Sequence, residues 1–279
     1  MALTTNLVSY WKLDEASGNA VDSVGGNTLV NTNTVTYAAG KVNNGANFVA
    51  ASSQRLTIAS PTGLDLLSDL SMSFWFKPAS QVDAYLIGKY KTTGSDGYNL
   101  CYYGTTGTPR LGLNIGGSGT NEQISANVVL TNGTWYHIVV TWKASTSTAT
   151  FYVNGASIGA PTGAITALIA TSTGFNIGAL SDDNLAGTYV NGLVDEAGVW
   201  SRVLTSTEAF QLYNFSLGNA YPFVSNQSYS ETSVTSDVLN ITQGASPVET
   251  SVTSDVLKIN IGWTNQSKSS PTWSNALKS

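Results

Sequence analysis

From Trp135 to Trp142 the chain is dense in β-branched and aromatic side chains, which suit a pleated, half-buried surface. Alternation places Tyr136, Ile138, Val140 and Trp142 on one face and Trp135, His137, Val139 and Thr141 on the other. Neither face is fully polar, so the stretch reads as a central strand covered on both sides. A small polar connector leads to Ala149–Val153. Asn154-Gly155 follows, the pair favoured by a two-residue type I′ hairpin because both turn residues need positive φ. Ala156–Gly159 then closes a three-stranded antiparallel meander.

The same texture recurs on both sides of this meander. Leu7–Leu13 alternates, and short strand-like runs follow at Ala46–Val49, Arg55–Ile58, Ser71–Lys77, Ala84–Lys89, Tyr98–Tyr103, Arg110–Ile115 and Gln123–Val129. Gly, Pro or Asn clusters bound each run. Gly174–Gly178 and Gly187–Trp200 continue the series. Strands at such spacing without helices between them predict an all-β, two-sheet antiparallel sandwich or jelly roll. One short helix is predicted where Thr205 precedes Glu208 at capping-box spacing, with Phe210, Leu212 and Tyr213 as its apolar side.

The pattern changes after Phe223, which sets an expected boundary between a domain at 1–223 and a polar repeat tail at 224–279. Glu231–Leu239 (ETSVTSDVL) recurs at Glu249–Leu257, and Trp263-Thr-Asn is echoed by Trp273-Ser-Asn. Two copies are too few for a self-supporting solenoid. The regularly placed Val, Leu and Ile residues favour an extended or strand conformation over the alternative, a flexible linker with duplicated sequence. The tail is expected to pack on its own domain, on a second copy or on a separate scaffold, with Trp263 and Trp273 as assembly residues.

Composition narrows the function. The chain is 42% hydrophobic but only 10% charged, so its solubility rests on Ser, Thr, Asn and Gly. A net charge of −5 and scattered basic residues argue against tracking the phosphates of a nucleic acid. No stretch is apolar enough for a membrane span. The N-terminal stretch carries no visible signal peptide. The single cysteine, Cys101, excludes an intrachain disulfide and reads as a buried thiol.

Several motifs together resemble one family. They are Tyr10–Gly18 (YWKLDEASG) with Asp22, Ser71–Lys77 (SMSFWFK), Gly133–Thr141 (GTWYHIVVT), Phe151–Gly155 (FYVNG), and Gly192–Trp200 (GLVDEAGVW) followed by Arg202–Thr205 and Glu208. In this order they resemble a laminin-G-like, concanavalin-A-like jelly-roll domain of the bacterial and viral type, over residues 7 to about 217. The resemblance implies two packed sheets of roughly six or seven strands each. It implies little about activity, because such folds host lectins, adhesins, enzyme appendages and architectural modules.

Three chemistries can be weighed on the residues. Glycan-cleaving enzymes on such sandwiches carry acids at alternate strand positions, so that the carboxylates share a cleft. Here Asp195 and Glu196 are adjacent and would face opposite sides of a strand, and His137 reads as a packing residue. No catalytic residue is expected. A structural calcium is the second candidate, since calcium takes oxygen ligands from irregular loops. The loop Asp22–Asn27 offers a carboxylate and an amide oxygen. The resemblance implies that related domains often hold calcium between such loops, near the segment containing Asp195. Asp22, Asn27 and Asp195 are the expected ligands, with Asx-turn and strand-end hydrogen bonding as the alternative. Sugar binding is the third, requiring an exposed aromatic face flanked by hydrogen-bonding groups. Tyr90, Asp96, Tyr98, Tyr102 and Tyr103 cluster around one loop, and Asp182, Asp183 and Asn184 offer acceptors on another, with tyrosines that merely help form the sandwich and its rim as the alternative.

These readings leave three classes open. The first is a non-enzymatic virion structural or adhesion protein, a capsid decoration or fibre component at a virion surface or outside the cell. Its partners would be a glycan or host-surface polysaccharide, other virion or scaffold proteins held by the tail, and a homo-oligomer. The second is a glycan-binding module of a secreted or cell-surface protein. The third is a glycoside-active enzyme.

Overall fold

A computed structural model describes residues 2–81, 83–92, 96–117, 120–181 and 188–223, together with the backbone of 228–231 and 246–249. It separates into two compact units, Met1–Val224 and Ser225–Ser279. Asp182, Asp183, Asn184, Trp263 and Trp273 lie outside the described residues.

The first unit is all-β apart from one α-helix and short 3₁₀ turns. In chain order its strands are β1 (Leu7–Trp11), β2 (Val30–Thr32), β3 (Thr36–Ala39), β4 (Asn44–Phe48), β5 (Arg55–Ile58), β6 (Leu70–Pro78), β7 (Asp83–Lys91) and β8 (Asp96–Tyr103). There follow β9 (Arg110–Gly117), β10 (Thr120–Asn127), β11 (Tyr136–Lys143), β12 (Thr148–Val153), β13 (Ala156–Gly159), β14 (Phe175–Ile177) and β15 (Gly192–Trp200). Helix α1 (Ser206–Tyr213) comes last. One sheet runs β13-β12-β11-β6-β15-β4-β3, with β1 also paired to β15. The other runs β10-β9-β8-β7-β14-β5-β2. All pairings in the two sheets are antiparallel.

The sheets close on a single apolar interior. Trp11, Phe48, Phe74, Phe76, Trp142 and Phe151 fill it from the first sheet, and Tyr98, Leu100, Tyr102, Leu113 and Phe175 from the second. The rings of Trp11 and Phe175 stack across the interface with centroids 5.1 Å apart.

Strand β11 is covered on both faces, for a specific reason. Ile138, Val140 and Trp142 enter the main core, whereas Val139 joins a second cluster with Tyr10, Trp200, Leu204, Ala209 and Leu212. Helix α1 and Tyr221 to Phe223 lie over that outer face. The helix starts at Thr205, whose side chain accepts from Glu208 N–H while the Glu208 side chain accepts from Thr205 N–H. Arg202 adds a bidentate pair to Glu208 at 2.7 and 2.8 Å. In the β12–β13 hairpin, Asn154 and Gly155 both have positive φ, 52° and 77°, as a type I′ turn requires. Asn154 Oδ1 also accepts from His137 N–H at 2.9 Å, so the turn is tied to the central strand.

In the second unit, β16 (Ser228–Glu231) and β17 (Ser246–Glu249) pair in parallel, with Ser228 opposite Ser246 and Glu231 opposite Glu249.

Candidate functional site

Each sheet has an outward face. That of the first is closed by α1, and that of the second carries a shallow groove of about 370 Å³ over β7 to β10. Strand alternation builds it. In β8, Tyr98, Leu100 and Tyr102 point into the core, which leaves Cys101 and Tyr103 on the opposite face. Neighbouring strands add Tyr85 and Tyr90 from β7, Asn114 from β9, and Asn121 and Gln123 from β10.

These side chains are held by one another. Gln123 Nε2 donates to Tyr103 Oη at 2.7 Å and to Asn114 Oδ1 at 2.8 Å. The Arg110 guanidinium lies 4.5 Å from the centre of the Tyr103 ring and donates to the carbonyls of Thr106 and Thr108. One face of that ring is therefore backed by a fixed cation. Cys101 lies beneath, its thiol donating to Gly112 O at 3.0 Å. A Cβ at Gly112 would come within 3.1 Å of that sulfur, so glycine keeps the floor of the groove low.

The groove is electrically quiet. Burial raises the phenols of Tyr85 and Tyr90, with the Cys101 thiol adding to the effect, and Tyr103 is raised for the same two reasons. The Cys101 thiol is itself pushed up to about 12, mainly by burial. All four groups stay neutral through the physiological range. Glu122, the carboxylate in the lining, accepts from Ala164 N–H at 2.8 Å and Ile165 N–H at 3.1 Å. What remains is a set of phenols and amides, which can stack on an apolar sugar face and exchange hydrogen bonds with hydroxyls.

The residues singled out from sequence fall in different places. Tyr90 lines the groove, and Asp96 sits at the start of β8 opposite Lys91. Tyr98 and Tyr102 do not belong with them. Both are 1% exposed, and their hydroxyls serve the interior, Tyr98 donating to Leu64 O and Tyr102 to Gln81 Oε1. The expectation that they form part of an exposed platform is corrected: the face of β8 that carries Leu100 is the core face. Tyr103, named with them, does line the groove, as its parity relative to Leu100 requires, whereas Tyr85, Asn114, Asn121 and Gln123 were missed.

The calcium ligands expected from sequence also have other work. Asp22 accepts from three main-chain N–H groups, those of Tyr10 and Val24 at Oδ1 and of Asn27 at Oδ2, all within 3.0 Å. The Asn27 amide ties Ser9 to Thr62. Asp195 Oδ2 accepts from Lys41 and Val42 N–H in a different loop. Asp22 and Asp195 share no hydrogen-bond partner, and among the described residues no three His, Cys, Asp or Glu side chains converge as a metal site.

Asp195 and Glu196 differ from the simple strand alternation expected of them. A bulge interrupts β15 between Asp195 and Gly198, and Glu196 takes φ of +50°. There β15 changes its neighbour on one edge from β4 to β1. Glu196 accepts from the Tyr10 hydroxyl at 2.6 Å. Burial pushes Asp195 up to about 9 and Glu196 up to about 8. One oxygen of each carboxyl has no partner.

His137 is sealed in the sheet. Its Nε2 lies 2.9 Å from Ser73 Oγ, Nδ1 has no partner, and the rings of Trp75 and Tyr213 cover it. Burial takes its pKa down to about 3. A serine–histidine pair is present, but no carboxylate orients the imidazole and the pair is buried.

Residues 50–209 match a family model described as the concanavalin A-like lectin/glucanases superfamily. No curated protein matches the chain in sequence. Among solved structures, the fold is similar to domain 4 of AbnA, an extracellular GH43 arabinanase from Geobacillus stearothermophilus, in complex with arabinotriose. That match has a TM-score of 0.56 and 19% identity, and covers 74% of this chain and 97% of that one. The binding domain of Paraclostridial Mosquitocidal Protein 1 matches with a TM-score of 0.59 and 16% identity, over 75% of this chain and 52% of that one. A structure of botulinum neurotoxin type C, whose cell entry is dependent upon interaction with two ganglioside molecules, matches with a TM-score of 0.55 and 12% identity, over 76% and 51%. The chain thus spans about half of each toxin chain. At these identities the likeness shows the fold alone.

Proposed function

The chain belongs to the concanavalin A-like lectin/glucanase superfamily, and from that premise we propose that it is a non-catalytic glycan-binding protein. The groove over β7 to β10 is its sugar site. The observation that carries this reading is the composition of that groove, three tyrosines and three amides with its carboxylate engaged by backbone. Such a lining suits an uncharged chain of hydroxyl-bearing rings. Tyr103, backed by Arg110, is the stacking platform, and Gln123 and Asn114 are the hydrogen-bonding pair. The complex of the similar arabinanase domain with arabinotriose makes neutral arabino-oligosaccharides a natural first probe.

The reading assigns no catalysis. Most glycoside hydrolases use two carboxyl groups flanking the scissile bond, whereas Asp195 and Glu196 are buried in the other sheet. The charge-poor surface supports display outside a cell or on a virion, and the tail is the segment that would attach the domain to other particle components. Proteomics of purified particles tests that placement: the chain in the particle fraction supports it, and the chain in cells or medium without particles contradicts it.

A glycan array with the full chain tests the sugar site. Tyr103→Ala is expected to lower affinity for any retained glycan by about tenfold, from the loss of one stacked aromatic. An array without hits, or hits that survive both Tyr103→Ala and Gln123→Ala, would contradict the assignment.

A further inference from the structure

Strand alternation places Asn99 on the same outer face of β8 as Cys101 and Tyr103, since Tyr98, Leu100 and Tyr102 point into the core. Pairing across the sheet then puts it in a row of amides. Asn99 lies opposite Asn114 on β9, and Asn114 lies opposite Gln123 on β10. Towards β7 the row ends at Gly88, which brings no side chain. Residues directly opposite on one face hold their Cβ atoms about 4.5–5.5 Å apart, so the three amides stand side by side.

Two of the three are joined and the third is not. Gln123 Nε2 donates to Asn114 Oδ1 at 2.8 Å and to Tyr103 Oη at 2.7 Å, so both of its hydrogens are engaged. Asn99 is fully buried, and among the described residues neither its Oδ1 nor its Nδ2 has a hydrogen-bond partner. Most buried side-chain amides are paired, because an unpaired one bears the full desolvation cost of its groups. A donor and an acceptor without partners therefore lie beside the engaged amides of the groove.

A glycan hydroxyl that accepts from Gln123 must draw one of those hydrogens away. When it is the one held by Asn114, the Oδ1 of Asn114 loses its donor. We infer that Asn99 is a positioning residue of the sugar site: its Nδ2 donates to Asn114 Oδ1 when Gln123 turns to a bound glycan. The terminal torsion of an asparagine is soft, so the exchange needs no movement of the strands. The free chain carries Asn99 unpaired and the liganded chain does not, and a ligand draws a protein towards the state it binds better. Asn99 itself touches no sugar and acts through Asn114. The inference rests on the groove being the sugar site, and it adds a residue outside the lining of that groove.

Asn99→Leu keeps the shape of the side chain and removes both polar groups. Loss of an unpaired buried amide does not weaken the fold, so the free full chain of this variant is expected to melt no lower than wild type. Calorimetric titration with arabinotriose, and with the tightest glycan of an array, is expected to give an affinity about fivefold lower. In an Asn114→Ala background the same substitution is expected to cause no further loss, because the two residues act as one unit. In wild type the side-chain NH₂ signals of Asn99 are expected to shift saturably with the sugar. Full affinity in Asn99→Leu, with Tyr103→Ala still weakened, would overturn the inference and leave the sugar site standing. A lower melting temperature with unchanged affinity would do the same, since an amide paired through buried water in both states behaves that way. An undiminished loss in the Asn114→Ala background would also overturn it. Absence of binding, or binding insensitive to Tyr103→Ala, would remove the sugar site and the role of Asn99 with it.

Discussion

Asp195 and Glu196 are where single residues tie stability to pH. Each carboxyl is buried, and each is held protonated well above the usual carboxylate range. Free carboxyls release their proton near pH 4. Between about pH 4 and pH 9 the folded chain therefore holds protons that the unfolded chain has lost, and its stability falls as pH rises through that window. His137 acts in the opposite sense at lower pH. Its folded pKa of about 3 lies below the ordinary value, so stability is lost as pH falls from about 6.5 towards 3. Above pH 7 the acids dominate, joined towards pH 9 by Cys101, whose thiol burial also pushes up, to about 12. The unfolding free energy of wild type, read from urea titrations, is expected to fall between pH 7 and pH 9, by an amount on the order of a few kcal/mol. Asp195→Asn with Glu196→Gln should flatten that slope. An unchanged slope in the double variant would place the titrating groups elsewhere.

At the scale of elements, helix α1 is held at its start. Thr205 and Glu208 satisfy each other's backbone, and Arg202 bridges to Glu208 in the same buried corner. Thr205→Ala is expected to cost about 1 kcal/mol, the usual worth of an N-cap. Arg202→Ala should cost more, about 3 kcal/mol, because it strips a buried carboxylate of its cation. Chemical denaturation at pH 7 measures both, and equal losses would mean that the ion pair adds nothing beyond the cap.

This corner was legible in sequence because capping depends on residues three apart. The meander was legible for a similar reason, since a strong alternating run and an Asn-Gly turn are local signals. Strands β2 and β3 were not. They are short and mostly exposed or half-exposed, so they carry no apolar pattern and owe their form to pairing with β5 and β4. The bulge in β15 was also invisible, because it arises where the strand exchanges one neighbour for another. In β8 the information was present but misread. Leu100 marks the inward face, and parity then assigns Tyr98 and Tyr102 to the core and Tyr103 to the groove.

At the scale of the molecule, the two sheets and their one core were readable from strand spacing and motif order. The groove was not, since it is assembled from four strands whose order in the sheet no local pattern states. Among the described residues, both hydrophobic clusters of the first unit are built from positions up to Phe223. Deleting 224–279 is therefore expected to leave a cooperatively melting jelly roll with an unchanged melting temperature, and a loss of folding would show that the tail completes the core. Addition of a calcium chelator should likewise leave the melting temperature unmoved, because three backbone donors already engage the carboxylate of Asp22.

The central claim is that the phenol and amide face of β7 to β10 binds sugar. The side-chain amides of Asn114, Asn121 and Gln123 give the most direct readout, as ¹⁵N-resolved NH₂ signals followed during titration with arabinotriose and with the best glycan from the array. The account predicts saturable shifts of these three amides, with neighbouring backbone signals on β8 and β9 moving together and the midpoint moved to about tenfold higher glycan in Tyr103→Ala. Saturable shifts confined to other parts of the domain, with these amides unmoved, would contradict it.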